Sequence, residues 1–191
     1  MCGGIPSPMS ASALIEIGTE ELPVVNLDIF SVQGAEHVRR ILTKHRLDFG
    51  GIQIGATPRR LVIFIENLEP KQREERTTVV GPGYDKAYDA SGKPTQALLG
   101  FLNAQRSSLH DVRTQETPRG RYAAVERVHK GESTLKLLPS LVNEILSTFA
   151  FPKMMYWEKS GFRFPRPIRW VLALYGKSLI PLTIAGVNQD V

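Results

Sequence analysis

Within the first 68 residues the spacing of apolar side chains changes from two to about 3.6 and back to two, which restricts this stretch to a helix packed on a sheet. "ALIEIG" at 13–18 sets Leu14 opposite Ile15 and Ile17 and predicts a short strand, and "TEELP" then turns the chain. Leu27, Phe30, Gly34, Val38, Ile41 and Leu42 form a helical stripe, with Asn26 as the expected cap, Asp28 favouring the positive helix start, and an end near Arg46, before Gly50-Gly51. "GIQIGATPRRLVIFIENL" predicts strands at 51–56 and 60–67, broken at Thr57-Pro58.

The later residues repeat the theme without a sequence repeat. Charged "EPKQREERTT" runs into "VVGPGYD", read as an extended stretch leaving the sheet for a linker. "KPTQALLGFLNAQ" predicts a helix with Ala97, Leu98, Phe101 and Leu102 on its apolar face. Strands are expected near 110–116 and 121–128, paired across "TPRGR". A longer helix over 133–148 has Ser133 as its cap and carries Leu135, Leu138, Leu141, Val142, Ile145 and Leu146, with Pro139 expected to kink or restart it. "PIRWVLALYG" and "SLIPLTIAGV" are expected strands joined at Gly176-Lys177. The expectation is an α+β chain of two tandem units with mainly antiparallel sheets packed against helices: a loose leader at 1–12, a first unit at 13–82, a linker at 83–93 and a second unit at 94–191.

Charge separates the two halves. Residues 1–95 hold 11 Lys and Arg against 12 Asp and Glu, whereas residues 96–191 hold 13 against 7, so the basic half is the second. The one cysteine, Cys2, lies in the leader, which suits a reducing compartment and a cytoplasmic location. No apolar run approaches the roughly 18 residues of a membrane helix.

Little in the sequence points to chemistry carried by the chain itself. His37, His45, His110 and His129 are scattered, none with a partner at metal-ligand spacing, and "HD" at 110–111 is read as a solvated turn. "GPGYD" at 81–85 lacks the Gly-Lys-Ser or Gly-Lys-Thr ending of a phosphate loop. The carboxylates of "EIGTEELP" are read as a solvated strand-to-helix turn in preference to an acid/base pair. Arg59 and Arg60, adjacent on an extended chain, point to opposite faces, and internal pairing with a carboxylate of "GTEEL" is preferred to contact with nucleic acid.

Residues 151–170, "FPKMMYWEKSGFRFPRPIRW", thread five positive charges among six aromatic rings and three prolines. Such interleaving suits single-stranded RNA, whose bases stack on rings while cations hold phosphates. The even positions Ile168, Trp170, Leu172 and Leu174 read equally as one buried strand face, and Phe149, Phe151 and Phe162 as packing residues. The two readings combine as a core-anchored ribbon with a basic outer edge of Lys153, Lys159, Arg163, Arg166 and Arg169.

Six segments in order, "ALIEIGTEELP", "ATPRRLVIFI", "VVGP", "GKPTQALLGF", "FPKMMYW" and "FRFPRPIRWVLALYG", resemble the start of the beta subunit of the bacterial heterotetrameric glycyl-tRNA synthetases over 13–187. Within them Glu16, Gly18, Thr19, Glu20, Glu21, Pro58 and Trp170 are taken as structural. The resemblance implies an enzyme of two alpha and two beta chains, in which alpha activates glycine with ATP and magnesium and beta supplies most tRNA binding. It implies that this chain is an N-terminal fragment with no catalytic residue, metal or cofactor of its own, with the alpha subunit and tRNA(Gly) as partners. The RNA-contact candidates are Lys153, Lys159, Arg163, Arg166 and Arg169, with Arg59 and Arg60. The rival from a different class is a freestanding small-molecule-binding or regulatory α+β module.

Overall fold

The computed structural model describes residues 10–159 and 161–189. Its elements are β1 (Ala11–Thr19), α1 (Val24–Lys44), β2 (Ile52–Thr57), β3 (Arg60–Leu68), β4 (Glu75–Gly83), α2 (Tyr84–Ala87), α3 (Gln96–Gln105), β5 (Val112–Thr117), β6 (Gly120–His129), α4 (Thr134–Ser147), β7 (Ile168–Tyr175), β8 (Ser178–Leu179), β9 (Thr183–Ile184) and β10 (Val187–Asn188). The α+β class is as expected, with every strand pair antiparallel.

The division of the chain differs from the tandem expectation. One unit runs to Arg73 and resumes at Glu132, and the other is the intervening stretch from Glu74 to Gly131. Hydrogen bonding to distant strands is the reason. β7 pairs with β1, Ile15 against Ala173 and Ile17 against Val171, so the end of the chain completes the sheet begun by its start. β4, expected to leave toward a linker, pairs with β6, Val79 against Val125. The expected linker at 83–93 holds α2 and a turn closed by the bridge Tyr88–Pro94. Of the expected leader, Ala11 and Ser12 belong to β1, and residues 1–9 lie outside the described residues.

In the first unit the sheet order is β2-β3-β1-β7-β8. Alternation buries Ala13, Ile15 and Ile17 of β1, Leu61, Ile63 and Ile65 of β3, and Val171, Ala173 and Tyr175 of β7. This face packs with Phe30, Val38 and Leu42 of α1 and Leu141, Val142 and Ile145 of α4 in one core. Tyr175 carries a polar group into it, and its hydroxyl donates to the Leu68 carbonyl at 2.8 Å. α1 begins at Val24, behind Pro23, whose carbonyl accepts from the amides of Asn26 and Leu27; Asn26 is therefore not the cap, and its side chain is buried. α4 runs through Pro139 without restarting. The proline removes the amide that would serve Leu135, and Leu135 stands in an exposed first turn, where water can take that carbonyl.

β7 buries the opposite parity to the one expected. Gly18 pairs with Trp170 but Thr19 with Ile168, so an extra residue on β7 reverses the alternation there. Ile168 stays in the core, while Leu172 and Leu174 are half-buried on the outer face and Trp170 is 38% exposed. Trp170 is thus no core residue: its indole lies on the bare backbone of Gly18, where any Cβ would overlap the ring.

Between α4 and β7 the chain is anchored by rings. Phe149 stacks on Phe151 with centroids 5.3 Å apart and lies 5.1 Å from Phe30. Phe151 meets Phe164 edge-on at 5.5 Å. His37 lies 4.5 Å from Phe149, with Nδ1 2.6 Å from the Thr148 hydroxyl. That hydroxyl donates to the Ile145 carbonyl, so it accepts from His37 and fixes a proton on Nδ1. Burial and the nearby Arg40 lower the His37 pKa.

In the second unit, β4-β6-β5 form a three-stranded sheet against α2 and α3, with Ala87, Leu98, Leu102, Ala123 and Val125 as its core. Phe101 presses against Gly81, where a Cβ would lie 2.7 Å from the ring.

Two outcomes are expected. Gly18→Ala should cost about 1–3 kcal/mol by overpacking the indole, and clearly less in a Trp170→Ala background, a coupling that a double-mutant cycle by chemical denaturation measures. The unfolded chain binds a proton at His37 before the folded chain does, so this residue's contribution is full above about pH 6.5 and lost as pH falls through its lowered folded value. Stability should therefore decline below pH 6.5, and His37→Gln should flatten that slope in denaturation curves taken between pH 7.5 and 5.5.

Candidate functional site

The loop Glu20–Pro23, the turn between β2 and β3, and the segment Pro165–Arg169 meet at one end of the first unit's sheet. Backbone bonds fix the meeting: Thr19 N–H donates to the Arg59 carbonyl at 3.0 Å, Leu22 N–H to that of Pro58 at 2.7 Å and Glu20 N–H to that of Pro167 at 3.0 Å. Proline suits two of these three acceptor positions, 58 and 167, since it supplies a carbonyl and requires no partner for an amide. "GTEELP" is thereby clamped between "TPRR" and "RPIR", and most of the residues taken as structural, Glu16, Gly18, Thr19, Glu20, Glu21, Pro58 and Trp170, gather at this end.

Three of the candidate cations are paired here. Arg169 Nε lies 3.2 Å from Glu20, and Arg59 and Arg60 lie 3.8 Å from Glu21 and Glu16. Internal pairing of Arg59 and Arg60 is what the structure holds, with Arg59 in the turn and Arg60 at the start of β3. Arg166 differs: its Nε donates to the Glu21 carbonyl at 3.2 Å, and among the described residues no carboxylate lies within 4 Å of it.

Next to this loop a groove of about 270 Å³ opens at the start of α1, lined by Pro23, Asn26, Pro152, Lys153, Pro165 and Arg166. Lys153 holds a left-handed backbone, φ 55°, a conformation that side-chain-bearing residues keep only under local constraint. Lys159 and Arg163 are not part of the groove; Arg163 lies over the Tyr156 ring, 4.9 Å from its centroid. The sequence reading missed Asn26 as a groove residue. Its signal was present: Asn26, Phe30, Gly34 and Val38 follow at intervals of four, which places the amide on the buried stripe. The buried Thr19 hydroxyl, at the end of β1, has no hydrogen-bond partner among the described residues.

Among the described residues no three His, Cys, Asp or Glu side chains converge as a metal site would need, and no helix is long and apolar enough to cross a membrane. The fold is an α+β module with three ion pairs gathered at this end of its first unit's sheet. Residues 13–191 match the family described as glycyl-tRNA synthetase beta subunit. Relatives described as glycine–tRNA ligase beta subunits include those of Syntrophus aciditrophicus, 36% identical over 181 residues, and Dictyoglomus thermophilum, 38% identical over 182 residues. Each match covers 95% of this chain and 26% of the relative. That of Oleidesulfovibrio alaskensis is 38% identical over 174 residues, 91% of this chain and 25% of the relative. The chain belongs to the glycyl-tRNA synthetase beta subunit family. It spans about a quarter of the length of these relatives.

Arg59 and Arg169 are largely exposed, so each ion pair is expected to contribute at most about 1 kcal/mol. Arg59→Ala and Arg169→Ala should each leave the urea midpoint nearly unchanged, the backbone clamp being untouched; a large loss for either would show that the side chain itself holds the loop.

Proposed function

We propose that this chain is the N-terminal part of a cytoplasmic tRNA-binding beta subunit, in an enzyme that joins glycine to tRNA(Gly) using ATP. The assembly is two alpha and two beta chains, and ATP and magnesium act on alpha. The chain's own share is tRNA contact or subunit assembly, with no catalytic group. Family membership supports the enzyme. One observation carries the RNA role: Lys153, Lys159, Arg163 and Arg166 have no carboxylate within 4 Å among the described residues, whereas Arg59, Arg60 and Arg169 do. Unpaired cations beside exposed Tyr156 suit a phosphate backbone with unstacked bases.

Lys159→Ala with Arg163→Ala, both exposed, should weaken tRNA binding and lower the dependence of log affinity on log salt by about 0.7–0.9 per lost phosphate contact, with melting unchanged. An unchanged slope would remove these two residues from the RNA surface. Micromolar binding of ATP to the chain alone, by calorimetry, would overturn the non-catalytic assignment.

A further inference from the structure

The groove at the start of α1 combines four features of an oxyanion site. α1 is 21 residues long with no acidic side chain in its first turn, so its positive end is not neutralised from within. The Pro23 carbonyl takes the amides of Asn26 and Leu27, which leaves those of Val24 and Val25 ahead of the first helical acceptor. Asn26 lines the groove, is 2% exposed, and its Nδ2 has no hydrogen-bond partner among the described residues. A buried carboxamide without a partner costs free energy, and rotation about its terminal torsion brings either the amino group or the oxygen to the groove.

The fourth feature is charge. Arg166 is held at Nε by the Glu21 carbonyl, so the rest of its fork remains for another acceptor. Lys153 also lines the groove, and its backbone between Pro152 and Met154 is left-handed. The neighbouring carboxylates of Glu20 and Glu21 are occupied by Arg169 and Arg59. The paired and unpaired cations thus sort by position, and both cations that line the groove are unpaired. Pro23, Pro152 and Pro165 wall it with rigid apolar surface that offers no competing amide.

We propose that this groove binds one phosphate of an RNA backbone, held by the Asn26 amino group, the Arg166 guanidinium, the Lys153 ammonium and the first-turn amides of α1. A phosphate is favoured over a single carboxylate because two cations, a helix terminus and a carboxamide donor together suit an ion of several acceptor oxygens. The proposal rests on the tRNA-binding reading above and gives it a particular contact.

The full chain is titrated with inorganic phosphate and with a tRNA(Gly) transcript, and the amide and side-chain resonances of residues 23–26 are followed by NMR. Phosphate should shift the Val24 and Val25 amides and the Asn26 amino pair in a saturable way. Asn26→Asp, nearly isosteric, sets a negative charge against the anion; it should abolish these shifts and weaken tRNA binding at least about tenfold. Should that variant fail to fold, Lys153→Gln with Arg166→Gln keeps the buried amide intact and should lower the salt slope by about 0.7–0.9, one phosphate, since both cations serve the same ion. Unshifted first-turn amides, or groove variants that bind tRNA with native affinity and slope, overturn the site. If Lys159→Ala with Arg163→Ala still weakens tRNA binding in that case, the RNA reading stands without the groove. Phosphate shifts with no groove-dependent tRNA binding overturn the assignment to RNA and leave a site for a free anion.

Discussion

The pairing of β1 with β7 is the constraint on which the rest of the first unit depends. It sets Ile17 against Val171, so most of the chain must be looped out before the central strand gains its second neighbour. Closing such a loop costs entropy that grows slowly with length, and the burial gained along the ladder offsets it. Without β7, β1 would be an edge with one row of amides and carbonyls open, and the aromatic run from Phe149 to Phe164 would lose the strand that follows it.

The same ladder creates the local geometry at its end. The irregularity between Gly18 and Thr19 returns Ile168 to the core and turns Trp170 outward, and only glycine tolerates the indole at that distance. Beyond the irregularity Glu20 N–H bonds to the Pro167 carbonyl, which holds the two segments together where the loop that starts α1 begins. The groove is therefore a consequence of how β1 and β7 end: their last pairs place Pro165 and Arg166 beside Pro23 and Asn26.

Most elements were legible because the spacing of apolar residues shows which face of a helix or strand is buried. The α1 stripe from Phe30 to Leu42, the β3 alternation and the β5–β6 hairpin all follow from it. The division into units was not legible, because "RPIRWVLALYG" carries no mark of which strand it will join. The parity of β7 was hidden for a related reason. One extra residue opposite Gly18 reverses the alternation, and nothing in "PIRWVLAL" distinguishes a bulged strand from a regular one. The pairing of Arg59 and Arg60 with carboxylates of the first loop and strand was legible, whereas their expected placement on opposite faces assumed an extended chain and Arg59 lies in a turn. Arg166 was not separable from Arg169 by sequence, since each is one arginine in a basic run. Only the position of Glu20 and Glu21 shows which of the two is paired.

That sorting of charge bears on how rigid the basic edge can be. A long cationic side chain loses rotamer freedom when it binds a phosphate, and the loss is smaller where the chain is already held. Arg166 is fixed at Nε, Lys153 is carried by a constrained backbone, and Arg163 rests on Tyr156. Beneath them Phe149, Phe151 and Phe164 tie the segment to Phe30 of α1. The aromatic side chains that made the ribbon resemble a stacking surface thus divide by burial. The phenylalanines are consumed as core, which stiffens the ribbon, and the exposed rings are Tyr156 and Trp170. A ribbon anchored in this way gives Arg166 and Arg163 each a support of its own, a backbone carbonyl and a ring, so on the RNA reading proposed above the match to a phosphate backbone would depend on the fold as well as on the charge count.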